Sequence, residues 1–169
     1  NYIYINLRAL LFHQFMNNAR GVLVLSQYSQ TEKKDLFNIR SKVLRGALDK
    51  VYDYNTTKFI DLKTIKLLMV GRLDKNKRID LLIQAVSDLK QKNINISLDI
   101  IGNGPQGNEL KELAKKLGIS DLIKFHGFVD DNDLIKTYSN SHIFVSLDWA
   151  DYKITMYEAL NQSCFVIVT

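Results

Sequence analysis

From Ile65 onward the chain switches repeatedly between two hydrophobic periods, and this alternation limits its fold more than any other feature. The short apolar runs "IKLLMV" (65–70), "ISLDIIG" (96–102), "LIKFHGF" (122–128), "HIFVSL" (142–147) and "CFVIV" (164–168) read as strands. Helical period fills the gaps between them. "RIDLLIQAVSDLKQK" sets Ile79, Leu82, Ile83, Val86 and Leu89 on one stripe, and "NELKELAKKLG" is a helix stopped by Gly118. "DNDLIKTYSN" is a short helix whose opening acids suit the helix dipole, and "ITMYEALNQ" is a fourth. Strands that alternate with helices predict an α/β fold built on a parallel sheet with flanking helices.

The first sixty residues are less regular. "RALLFHQFMNNAR" reads as a helix, "GVLVLS" as a strand, "SQTEKKDLFNI" as a helix capped by Ser29 or Thr31, and "SKVLRG" as another strand. The polar stretch "DKVYDYNTTKFIDLKT" separates this part from the rest, which places a boundary near residues 50 to 62. With 169 residues the chain can bury one substantial core and part of a second. An apolar strand directly before Thr169 and a start at Asn1 fit a piece of a longer protein.

Composition narrows the function classes. A net charge of +5 suits an anionic partner or a merely soluble surface. The basic residues form no aromatic-interleaved stripe, so a nucleic-acid partner is not expected. A single cysteine, Cys164, excludes an internal disulfide and a cysteine zinc cage, and it is expected in the core. No apolar run reaches the roughly 18 residues of a membrane span.

Three loops leave strands with chemistry-bearing residues. In "VGRLDKNKRIDLLIQA", Arg72 and Lys77 follow a strand end and a glycine, where ligands of open parallel sheets bind; two cations there could meet a diphosphate or simply face water. "IIGNGPQG" matches G-x-G-x-x-G through Gly102, Gly104 and Gly107, the best argument for a dinucleotide site. It falls on the second strand of the series, however, Pro105 removes a backbone donor, and Asp130 only loosely supplies the ribose acid, so a tight turn is the better reading. "FHGFVDD" ends in Val129, Asp130 and Asp131, which could meet a base edge or cap a helix. His126 and His142 read as structural. In "SLDWADYKITMYEAL", Glu158 sits near the start of a helix, where its two oxygens could accept from adjacent sugar hydroxyls; Trp149 and Tyr152 could stack on a ring or cover the loop.

Taken in order, "VGRLDKNKRIDLLIQAV", "LDIIGNGP", "IKFHGFVDDNDLIKTYSNSHIFVS" and "YEAL" resemble the donor-binding domain of GT-B glycosyltransferases of group 1, also called family 4. "GVLVLSQYSQTEKKDL" and "KVLRGALD" are similar to the end of the family's acceptor-side domain and its crossover. The resemblance implies a Rossmann-like GT-B donor domain over residues 63–169, a crossover at 51–62 and an acceptor-domain remnant at 1–50. It implies transfer of a sugar from a nucleotide-diphosphate sugar to a glycan, lipid or protein acceptor, with retention at the anomeric carbon and without a metal ion or other cofactor. Arg72 and Lys77 would stabilise the diphosphate leaving group. Val129 and Asp131 would lie near the base, Glu158 would hold the ribose, and Asp151, Tyr152, Lys153 and Ile154 would form the loop beside the sugar. A cytoplasmic setting, with peripheral contact at the membrane face, is expected.

Departures from the pattern cluster at the sugar site. The first Glu of the family's E-x7-E is Ala150, and its usual glycines are Asp151 and Lys153. Asp151 or Asp148 could take the missing role through a shifted loop. The family's glycine after Lys77 is Arg78, and the glycine and proline of a later turn are Ser163 and Phe165. The rival readings are a degenerate, non-catalytic binding module and, third, a nicotinamide-dependent oxidoreductase.

Overall fold

The computed structural model describes residues 23–24, 31, 34, 41–43, 63–148 and 154–169. Two compact units divide the chain, Asn1–Ala47 with Ala150–Tyr152 and Leu48–Trp149 with Lys153–Thr169. In the first, Leu23–Val24 (β1) pairs in parallel with Lys42–Val43 (β2), within two of the expected strands, and Thr31 and Lys34 are helical. The helix expected at 8–20 and the linker expected at 51–62 lie outside the described residues.

The second unit is built around five parallel strands, as the alternating periods predict. They are Ile65–Val70 (β3), Ile96–Ile101 (β4), Ile123–Gly127 (β5), Ile143–Ser146 (β6) and Phe165–Val168 (β7), in the spatial order β5-β4-β3-β6-β7. Helices Ile79–Gln91 (α1), Gly107–Lys116 (α2), Asp131–Asn140 (α3) and Ile154–Asn161 (α4) connect them. The chain thus winds outward from β3 in one direction and then from β6 in the other. The switch of direction falls between β3 and β6, and open sheets of this kind bind ligands in the crevice beyond such a point.

Two cores cover the two faces, and the two-residue period of β3 sorts its side chains between them. Leu67 and Met69 join Ile79, Leu82, Ile83 and Val86 of α1 and Leu110 and Ala114 of α2 on one face. Leu68 joins Tyr138 of α3, Phe144 of β6, Ala159 of α4 and Cys164 on the other. The cysteine is buried as expected, and its thiol donates to the Tyr138 carbonyl at 3.1 Å. His142 locks the start of the ladder between β3 and β6: its backbone N–H donates to the Lys66 carbonyl at 2.9 Å, and its Nδ1 accepts from the Lys66 N–H at 3.0 Å. At β5 the register shifts by one residue, Ile100 facing Phe125 and Ile101 facing Gly127. His126, inside this bulge, pairs with Asp99 of the neighbouring strand at 2.5 Å. Both histidines therefore have structural employment. Among the described residues no helix is long and apolar enough to cross a membrane.

Two departures from the family pattern acquire a physical meaning here. Arg78 has φ 50° and Ser163 has φ 56°, both in the left-handed region. The backbone keeps the glycine conformation although the glycines are gone, at a cost of roughly 1 kcal/mol or more for each non-glycine residue. Ser163→Gly and Arg78→Gly are each expected to raise stability by about 1 kcal/mol. A urea-unfolding midpoint that does not rise for Ser163→Gly would contradict this account.

Candidate functional site

The loop after β3 is shaped to present a cation. Leu73 buries its side chain in the first core and fixes the loop to the sheet. Asp74 caps a single 3-10 turn, Lys75–Lys77: its carboxylate accepts from the Asn76 N–H at 3.1 Å and its carbonyl from the Lys77 N–H at 3.1 Å. Left-handed Arg78 then turns the chain into α1. The Lys77 stem runs back over Gly71, with Cε and Cδ 3.6 and 3.9 Å from where a Cβ on that glycine would sit. Its ammonium reaches the loop after β6 and meets Asp148 at 2.6 Å. This ion pair joins the loops that follow the two strands flanking the switch point, β3 and β6. Arg72 stands differently, with its side chain 73% exposed and only a loose 3.8 Å approach to Asp74.

Asp148 is buried, and Ser146 at the end of β6 donates its hydroxyl to the same carboxylate. A buried carboxylate without such partners would be strongly destabilising. Sequence reasoning had singled out Asp148 only as a stand-in for the missing glutamate; the pairing with Lys77 depends on strand order, which places positions 71 residues apart side by side.

Glu158 is half-buried on the second turn of α4. Its Oε2 accepts from the Tyr138 hydroxyl at 2.9 Å, which ties the glutamate to α3. The same hydroxyl lies 3.3 Å from the Thr155 carbonyl. Burial foremost, then the Glu158 charge, the hydrogen bond to it and Cys164, pushes the Tyr138 phenol far above its ordinary range. It therefore remains a protonated donor, and one edge of the Glu158 carboxylate is held in place. Tyr138 is the residue that sequence reasoning missed. Nothing in the local pattern of α3 marks it, and its tilted packing 6.1 Å from Phe144, deep in the second core, shows why its hydroxyl must find a partner.

The remaining expected residues are placed as follows. Val129 packs against the second core, so its backbone rather than its side chain is the part available at the end of β5. Asp131 is exposed at the first position of α3, and the cap is Asp130, whose carboxylate accepts from the Asp133 N–H at 2.9 Å. Ile154 is exposed at the start of α4. Asp151, Tyr152 and Lys153, with Trp149 and Ala150, lie outside the described residues.

The glycines of "GNGP" do not make a phosphate cradle. A Cβ on Gly102 would lie 2.0 Å from the Gly71 carbonyl oxygen, and one on Gly104 would lie 2.3 Å from that of Leu73. The open faces of these glycines are filled by the loop after β3, which is fastened to them by hydrogen bonds from Gly71 N to Ile101 O, Leu73 N to Asn103 O and Gln106 N to Leu73 O. With Asp130 occupied as a cap, the dinucleotide reading loses both its phosphate site and its ribose acid.

A doubly wound parallel sheet with helices on both faces defines an α/β domain of the Rossmann-like, GT-B type. The chain belongs to the family of glycosyl transferases group 1, whose model matches residues 54–169. It is 34% identical over 163 residues to an N-acetylgalactosamine-N,N'-diacetylbacillosaminyl-diphospho-undecaprenol 4-alpha-N-acetylgalactosaminyltransferase of Campylobacter jejuni, covering 90% of this chain and 40% of that one. It is 33% identical over 112 residues to a mannosylfructose-phosphate synthase of Agrobacterium fabrum, covering 61% of this chain and 25% of that one. In fold it matches the pneumococcal O-GlcNAc transferase GtfA, solved with UDP and GlcNAc, at a TM-score of 0.75 and 21% identity, over 92% of this chain and 31% of that chain. The chain thus spans between a quarter and two fifths of the length of these relatives.

Proposed function

We propose that this chain is the donor-binding part of a retaining glycosyltransferase that moves a sugar from a nucleotide-diphosphate sugar to a glycan, lipid or protein acceptor. Residues 63–169 form the donor domain, 51–62 the crossover and 1–50 part of the acceptor side. Arg72 and Lys77 neutralise the diphosphate as the glycosidic bond breaks and negative charge gathers on the leaving group. The backbone at Val129 and Asp131 meets the base. Glu158, with Oε2 held by Tyr138, offers its other oxygen to the ribose. The loop of Asp151, Tyr152, Lys153 and Ile154 takes the sugar. The observation that carries this reading is the position of Lys77 at the switch point of the sheet, supported from β6.

The name of the Campylobacter relative contains a diphospho-undecaprenol acceptor, which supports a lipid-linked acceptor and work at the cytoplasmic membrane face. Calorimetric titration of the full-length protein with UDP, GDP and ADP tests the reading. At least one is expected to bind, and Glu158→Ala to weaken that binding about tenfold or more, the worth of hydrogen bonds to a charged group. An unchanged affinity would reduce Glu158 to an ordinary helix residue. A second reading, a non-catalytic binding module, is favoured by Ala150 in place of the family's glutamate; binding without any donor turnover would select it.

A further inference from the structure

We propose that Asp148 is a built-in competitor of the diphosphate for Lys77, and that it speeds release of the nucleoside diphosphate after transfer. The inference rests on the reading of Lys77 as a diphosphate ligand and goes beyond it, to the step that frees the site.

The geometry supplies each part of such a device. The Lys77 ammonium lies 2.6 Å from the Asp148 carboxylate, a short charge-assisted contact. Asp148 has a side chain only 6% exposed, whereas that of Lys77 is 30% exposed. The acid is therefore fixed and the base is reachable. Ser146 holds the other carboxylate oxygen, so Asp148 does not need to follow Lys77 when the ammonium turns towards a ligand. The two residues come from the loops after β3 and β6, on opposite sides of the switch point, so the acid lies against the ammonium at the mouth of the crevice. Among the described residues Arg72 has no comparable partner, since Asp74 approaches it only to 3.8 Å at the surface. Of the two cations, Arg72 is the loosely held, exposed one that attracts the donor, and Lys77 is already balanced.

A lysine ammonium has three N–H donors and a strongly attractive point charge. Once the sugar has left, the nucleoside diphosphate carries more negative charge on its terminal phosphate than the donor did, and an unopposed Lys77 would hold the product more tightly than the substrate. A fixed carboxylate beside that lysine offers the ammonium an alternative partner. It also repels the product phosphate. Both effects act on the product more strongly than on the donor.

The test is a double-variant cycle on the full-length protein, with the tightest of UDP, GDP and ADP as ligand. Asp148→Asn keeps the shape and removes the charge, and it is expected to tighten binding about tenfold, chiefly through slower dissociation in stopped-flow displacement. Asp148→Ala removes the charge without an amide and is to shift affinity in the same direction. In a Lys77→Gln background, Asp148→Asn is to change affinity by less than about twofold, because little remains for the acid to compete for. Weaker or unchanged binding in Asp148→Asn and Asp148→Ala, or a gain that persists in the Lys77→Gln background, overturns the proposal. If Lys77→Gln alone leaves affinity unchanged, the reading of Lys77 as a diphosphate ligand fails instead, so the two failures are told apart.

Discussion

Lys77→Gln is expected to lower kcat of the full-length enzyme by about 10²–10³-fold, the usual cost of removing one preorganised group that meets developing charge. The amide keeps the stem as far as Cδ and can still donate an N–H toward Asp148, so the loop is preserved while the charge is lost. In the proposed reaction, charge on the departing diphosphate grows along the reaction coordinate, so the loss is expected mainly in kcat rather than in the donor KM. Arg72→Gln serves as the internal comparison. Its side chain is mostly exposed, where water screens a charge, and about a tenfold effect is expected there. Equal effects for the two variants would mean that the capped turn and its position at the switch give Lys77 no special standing. Steady-state rates over a range of donor concentrations decide the matter.

Gly102→Ala is expected to destabilise the second unit by roughly 3 kcal/mol or more. Two costs add. The residue has φ 128°, which side chains rarely adopt, and the new methyl would sit 2.0 Å from the backbone oxygen of Gly71, a residue whose N–H is tied to the Ile101 carbonyl of β4. Flexible side chains can step aside from such a clash, but a hydrogen-bonded backbone cannot do so without breaking the contact between the loops. Gly107→Ala is the control, since its Cβ would meet only the tip of Leu73 at 3.7 Å, an ordinary contact. A Gly102→Ala protein that unfolds in urea within 1 kcal/mol of its parent would show that the two loops separate easily, against the packing described here.

The sequence carried the layout of the second unit almost to the residue, because each element announces itself by a local period. Of the stripe Ile79, Leu82, Ile83, Val86 and Leu89, the first four are buried and Leu89 packs half-buried against the same core, and α3 spans the same ten residues that the pattern outlined. The turn reading of "GNGP" also held, for a reason that a linear string cannot display: the space that those glycines leave is taken by another loop. What could not be read were partners set by topology. Lys77 finds Asp148 only because β6 returns beside β3, and Tyr138 finds Glu158 only because α3 and α4 share one face of the sheet. The departures at Arg78 and Ser163 were visible as residue types, whereas their left-handed backbone was not.

The interlock between the loop after β3 and the loop after β4 bears on attempts to change donor preference by grafting loops from relatives. With backbone atoms of one loop seated where the other has no side chain, neither is an independent module. A graft of residues 71–78 alone would arrive with its main chain shaped for a different neighbour. Transplanting it together with residues 102–107 moves lock and key as a unit, and such paired chimeras are the ones to build.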